Sequence, residues 1–347
     1  MPWRQLVASG LMRSGALGLV RSLRPGRAIV LMYHRINDAA DPFFPALPSA
    51  AFEQQVRFLK RCYAVEPLPD VMAWLAAGAV GRPRVALTID DGYPDTYAVA
   101  WPILRRHQTP ATLFLATAPP ETREPLWLDA LRAWVKTARA ERLDAVELGL
   151  PELGLGSTAE RLQALKLVIR RLKATSAETL REILVRIRER LAPAPGSPPC
   201  LTWAQVREMQ RAGLDVGAHT HRHYILSRST LDEAQSEIAH SIALIRSRLG
   251  VAACTFAYPN GQADDFDAAH QAMLRGLGIR WALSTVSGFA GPGDAPLAMP
   301  RVATKAPSLP LFACRLAGLG REAPAPPGRI GAAARPRTLA DSMGLQG

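Results

Sequence analysis

Residues 85–92 read Val85-Ala86-Leu87-Thr88-Ile89-Asp90-Asp91-Gly92. No charge interrupts the first five, the pattern of a strand buried on both faces, as in parallel sheets and barrels. Two acids follow at once, and Gly92 permits a sharp turn. Acids at the C-terminal end of a buried parallel strand project into the crevice where α/β folds bind ligands and barrel enzymes place catalysts. Neighbouring side chains diverge, so one carboxylate can hold a metal while the other reaches a water on it. A helix N-cap followed by a spare surface acid is the plainer reading of an Asp-Asp-Gly, and this stretch by itself leaves both open.

Outward from it, strands alternate with helices. Upstream lie the apolar run 28–33 and an amphipathic stretch at 52–62; downstream come a helical segment at 96–107 and the apolar run 112–116. From about residue 125 to 199 the strand signal gives way to helical periodicity in 127–146 and 162–191, with Ser157 and Glu160 as a capping box and a Pro-rich link over 192–199. Alternation then resumes: capped helices at Thr202-x-x-Gln205 and Thr230-x-x-Glu233, strands at 214–217, 254–258 and 281–286, and a helix at 266–277. About seven βα-like units result. The alternation predicts an α/β fold over 27–320, interrupted by a helical insertion at about 125–199. Residues 1–26 read as a basic amphipathic arm, and 321–347, rich in Pro, Ala, Gly and Arg, as a disordered tail.

The chain has 347 residues, 48% hydrophobic and 21% charged, enough for a full core without disulfides or metals to hold it together. A metal here would serve chemistry. No apolar run approaches the roughly 20 residues of a membrane span. No secretory signal is read, and Cys62, Cys200, Cys254 and Cys314 are scattered, so reduced thiols in the cytoplasm are expected. The formal charge is +12, and six arginines precede the first acid, Asp38. Such an arm suits peripheral contact with an anionic inner membrane face; with no zinc finger or aromatic-basic stripe beside it, no nucleic-acid partner is expected.

A second polar constellation, Gly217-Ala218-His219-Thr220-His221-Arg222-His223, follows the strand at 214–217 and holds three of the chain's seven histidines. The His-x-x-x-His spacing brings two imidazoles to one side of a turn, a geometry that holds a divalent cation. With one carboxylate it gives a site with open positions for water and substrate, suited to zinc or another borderline ion such as cobalt, manganese or nickel. Such an open site implies hydrolysis. His221 should diverge from its neighbours, and His107 and His240, on helical patterns, read as structural.

Taken together, Thr88-Ile89-Asp90-Asp91-Gly92 and His219-Thr220-His221-Arg222-His223 resemble the first two motifs of the polysaccharide deacetylase family, the NodB-homology or carbohydrate esterase family 4 fold, and the resemblance implies an irregular (β/α)7 TIM-like barrel whose mouth the insertion caps, shaping the substrate groove. The resemblance implies Asp91, His219 and His223 as metal ligands and Asp90 as the general base for water on that cation. Phe256-Ala257-Tyr258-Pro259-Asn260-Gly261 resembles a variant of the third motif that lacks its usual Arg; Arg301 is the expected substitute that steadies the base. Tyr258, Pro259, Thr220 and Arg301 are expected at the substrate and oxyanion site, with a backbone N–H near Tyr258 facing the oxyanion. The usual C-terminal histidine is missing. Met32-Tyr33-His34-Arg35-Ile36 resembles the segment that supplies the acid in exopolysaccharide N-deacetylases, making His34 the expected proton donor. The implied reaction is metal-dependent removal of N-acetyl groups from N-acetylhexosamine units of a glycan. A same-fold hydrolase of another amide or acyl group, or a non-catalytic glycan-binding protein, are the alternatives.

Overall fold

The computed structural model describes residues 2–14, 16–18, 26–196, 198–304 and 308–319. The expected tail at 321–347 and the arginines at 21 and 24 lie outside the described residues. The strands are β1 (Ala28–Tyr33), β2 (Ala64–Val65), β3 (Arg84–Asp91), β4 (Thr112–Leu115), β5 (Arg142–Leu143), β6 (Leu153–Gly154), β7 (Asp215–Ala218), β8 (Thr255–Ala257), β9 (Trp281–Ser287) and β10 (Met299–Ala303). The helices are α1 (Pro2–Arg13), α2 (Ser49–Cys62), α3 (Leu68–Ala76), α4 (Trp101–Arg106), α5 (Ala118–Thr122), α6 (Trp127–Lys136), α7 (Thr158–Leu172), α8 (Ala177–Leu191), α9 (Trp203–Arg211), α10 (Leu231–Leu249), α11 (Ala268–Gly276) and α12 (Leu309–Leu316).

Strands β1, β3, β4, β7, β8, β9 and β10 pair in parallel in that order, and β10 returns to β1, closing a seven-stranded barrel. Although both faces of each strand are apolar, alternate residues divide their tasks. Ile29, Leu31, Val85, Leu87 and Ile89 pack outward beneath the helices, whereas Ala28, Val30, Ala86, Phe114 and Leu283 fill the barrel with Val71 and Met72 of α3. The register pairs Tyr33 with Ile89, Asp91 with Leu115, and Leu115 with Ala218. The strand ends carrying His34, both acids and His219 therefore emerge at one end of the barrel.

Gly217 makes the interior fit. A Cβ there would lie 2.5 Å from the Phe114 ring and 2.6 Å from Thr255 Oγ1, so any side chain forces the barrel wall outward. Gly217→Ala is expected to cost about 1–3 kcal/mol by overpacking, read as a lower midpoint in urea with an unchanged slope; an unchanged midpoint would refute this.

The segment between β4 and α9 departs from the all-helical expectation. Its α6, α7 and α8 enclose a separate core that includes Leu131, Val135, Val168, Ile183 and Ile187. The helix expected over 127–146 stops at Lys136, and β5 and β6 then form a short antiparallel ribbon whose connection bears Gly149 in the left-handed region, φ 62°. The stretch 162–191 is two helices, because the Ser176 side chain accepts from the Thr179 N–H and starts a new one. Strand β10, which carries Arg301, was hidden in the sequence by Pro300 and by the Gly- and Pro-rich loop before it. Among the described residues no helix is long and apolar enough to cross a membrane, and α1 leaves Trp3, Leu6 and Val7 exposed.

Candidate metal centre

Asp90 continues the inward parity of Ala86 and Thr88 and is buried inside the barrel mouth. Asp91 has the opposite parity, yet it sits in the left-handed region at φ 75°, followed by Gly92 at φ 84°. The chain turns there, so both acids serve one site. A Cβ at Gly92 would also meet Leu115 Cδ1 at 2.5 Å, so that side-chain end would have to shift.

Asp91 Oδ1 lies 3.2 Å from His219 Nε2 and 3.2 Å from His223 Nε2, and the three ligand atoms fall within 4.8 Å of one another. These donors fit a divalent cation. His219 Nδ1 donates to the Ala257 carbonyl at 2.6 Å, so the neutral ring presents its lone pair on Nε2 toward an anionic oxygen. Two imidazoles thus converge on Asp91 Oδ1, a buried atom that makes no well-formed hydrogen bond, and all three atoms are satisfied by one positive charge between them. Burial would raise the Asp91 carboxyl, but the imidazoles of His223 and His219 outweigh it and hold it well below the usual carboxylate range. Burial would lower His219; its carboxylate neighbours, Asp91 first, raise it instead.

The loop carrying the two imidazoles is tightly held. Thr220 and His223 both have positive φ, 61° and 62°. Thr220 Oγ1 accepts from the His223 N–H at 3.0 Å, and Glu237 of α10 accepts from the His221 and Arg222 N–H groups at 3.1 and 2.6 Å.

Arg301 is completely buried and grips Asp90 with two parallel contacts, Nη1 to Oδ1 and Nη2 to Oδ2, each 2.8 Å. Its Nη1 also reaches Thr88 Oγ1 at 3.1 Å, and its Nε donates to the Ser284 carbonyl at 2.8 Å. Burial alone would raise the Asp90 carboxyl; Arg301, then His219 and His34, hold it below its ordinary value. His34 Nε2 stands 4.0 Å from Asp90 Oδ2 with 39% of its side chain exposed, enough to meet a substrate. Partial desolvation within the mouth lowers the His34 imidazole, with Asp91 and Asp90 pulling the other way.

Four expected substrate contacts are corrected. The Tyr258 N–H donates to the Leu283 carbonyl at 3.0 Å, while the ring stacks on Phe266 and its hydroxyl donates to Leu297, so neither the N–H nor the ring faces the mouth. Pro259 has no N–H to offer. Thr220 is fully buried, with its hydroxyl engaged in the turn, and Arg301 touches the base rather than a substrate. His221 diverges as expected: Nδ1 meets Thr117 Oγ1 at 3.0 Å, the ring lies edge-on to His240, and burial pushes its imidazole down to about 4. His107 pairs with Glu53 at 2.8 Å, and none of the four cysteines is in a disulfide.

Sequence reasoning gave no role to Arg35, Asp95, Asp129 or Glu237. Asp95 Oδ2 accepts from the Ile36 N–H at 3.2 Å and from Asn37 at 2.6 Å, fastening the segment after His34. A lone acid on a helical pattern carries no signal of such a partner.

The backbone resembles Streptococcus pyogenes deacetylase PplD in complex with acetate, at TM-score 0.55 and 19% identity over 81% of this chain and 93% of that one. IcaB from Ammonifex degensii matches at TM-score 0.55 and 18% identity, covering 85% and 97%, and the BpsB deacetylase domain from Bordetella bronchiseptica at 0.50 and 15%, covering 81% and 98%. At these identities the likeness shows a common barrel fold. No curated protein matches the sequence. The family model for polysaccharide deacetylases, however, matches residues 77–281, more than half the chain and the span that contains both acids and both converging imidazoles. This chain belongs to the polysaccharide deacetylase family.

Proposed function

We propose that the protein hydrolyses the N-acetyl group of N-acetylhexosamine units in a glycan, with a divalent cation held by Asp91, His219 and His223. One observation carries the reading: the donor cluster spanning 4.8 Å stands next to a second carboxylate, Asp90, kept anionic by a buried guanidinium. Two imidazoles and one carboxylate favour zinc, with cobalt, manganese or nickel as substitutes, and such an ion supplies Lewis acidity to the acetamido carbonyl and to water.

The chain's own groups handle the protons. Asp90 takes one from the attacking water as its oxygen bonds to the carbonyl carbon, and Arg301 holds the carboxylate oriented and ionised for that task. His34, exposed to the mouth and 4.0 Å from Asp90, delivers a proton to the amide nitrogen as the C–N bond breaks. Acetate and a free amino sugar are the products.

The test is acetate release from N-acetylglucosamine oligomers by protein stripped with a chelator and then reloaded. Stripping is expected to abolish release, and zinc or cobalt to restore it. Metal-independent release would overturn the assignment of the cluster, and silence from metal-loaded protein would overturn the substrate.

A further inference from the structure

The insertion reaches into the barrel mouth with the first turn of α6. Asp129, in the first turn of α6, is 3% exposed, and its Oδ1 lies 2.9 Å from Arg35 Nη2. A buried carboxylate is costly unless paired, and this one is paired with Arg132 of its own helix at 3.3 Å and, more closely, with Arg35 across the boundary between insertion and barrel. Arg35 directly follows His34. Its guanidinium lies 3.5 Å from the centroid of the Tyr93 ring, two residues beyond Asp91, so one cation bridges the loops after β1 and β3. From the same turn of α6, Trp127 Nε1 donates to the His223 carbonyl at 3.4 Å. Leu126 and Asp129, together with Pro198 and Cys200 at the far end of the insertion, face Asp91 and Tyr93 across one cleft.

We propose that Asp129 is a positioning residue of the active site: through Arg35 it fixes the segment that carries His34, which makes the insertion a working part of the catalytic centre. The inference rests on the deacetylase reading for His34. Asp95 holds the neighbouring residues Ile36 and Asn37 from the barrel side, so removing Asp129 frees Arg35 and shifts His34 without releasing the whole loop. A displacement of about 1 Å of a proton donor is worth on the order of 10²-fold in turnover.

The experiment compares Asp129→Ala, Asp129→Asn and Arg35→Met, singly and as the Asp129→Ala/Arg35→Met pair, in zinc-loaded full-length protein. Asp129→Ala is expected to lower kcat by about 10²-fold with KM and zinc affinity close to wild type, since no metal ligand touches Asp129. Asp129→Asn, which still accepts from Arg35, should recover part of the loss. The double variant should be no slower than the slower single one, because the contact between Asp129 and Arg35 is the link from α6 to His34 that both variants break. An unchanged kcat, a loss confined to KM, or additive losses would each overturn the proposal. If Asp129→Ala does not fold, Asp129→Asn and Arg35→Met decide the same points. Should wild type release no acetate, the deacetylase reading has failed, and hydrogen exchange then decides the positioning: Asp129→Ala must speed exchange at residues 34–37 while β3 and β4 stay protected, and uniform protection refutes it.

Discussion

Asp90→Asn is expected to lower acetate release by about 10²–10⁴-fold, the range that general acid–base catalysis supplies. Asparagine keeps the size of the side chain and one oxygen for Arg301, but it cannot take up the proton of the attacking water. The ligand set of Asp91, His219 and His223 is untouched, so zinc affinity should stay near wild type, which separates loss of the base from loss of the metal. Stability should also fall, because a buried Arg301 that gripped two carboxylate oxygens is left with one. Breaking a buried ion pair by removing one partner costs about 3–5 kcal/mol, and the retained oxygen places this variant toward the lower end. Zinc titration, thermal melts and initial rates on one preparation settle the matter. Rates within tenfold of wild type would remove Asp90 from the role of base.

The barrel and the two polar strand ends were legible because each left a local mark. An uncharged run such as Val85 to Ile89 has few ways to be buried other than as an inner parallel strand, and the acids after it declare which end is the mouth. His219 and His223 stand four residues apart, close enough for spacing alone to suggest a shared ion. What local spacing does not carry is long-range. Arg301, expected to steady the base only through the family resemblance, lies 211 residues from Asp90, on a strand broken by Pro300, and its partnership depends on β10 closing the ring beside β1. Asp129 and Arg35 likewise meet only because the insertion folds back over the barrel. The Tyr258 N–H failed as an oxyanion donor for a related reason: local sequence does not say which carbonyl of β9 an N–H at the end of β8 will find, and Leu283 takes it.

Arg301→Met carries the other large effect, and its sign in pH tests the electrostatics directly. In the wild type, burial raises the Asp90 carboxyl while Arg301, His219 and His34 lower it, with a net value below the ordinary 3.8. That depressed carboxyl stabilises the fold above its unfolded pKa, and the contribution disappears as pH falls through the folded value. Methionine fills similar length without charge and leaves the carboxylate buried with its principal partner gone. Burial is then opposed only by His219 and His34, and the Asp90 pKa moves up from its wild-type value. The variant should be destabilised by about 3–5 kcal/mol at neutral pH and recover part of the deficit on acidification, because the buried group is better tolerated protonated. The acid limb of kcat/KM should shift to higher pH with it, as Asp90 must be ionised to accept a proton. Arg301→Lys should fall between the two, since an ammonium restores charge but not the pair of parallel contacts or the bond to Ser284. Urea midpoints at pH 5 and pH 8 and a full rate profile make the comparison. A variant whose acid limb coincides with that of wild type would show that Arg301 serves packing alone.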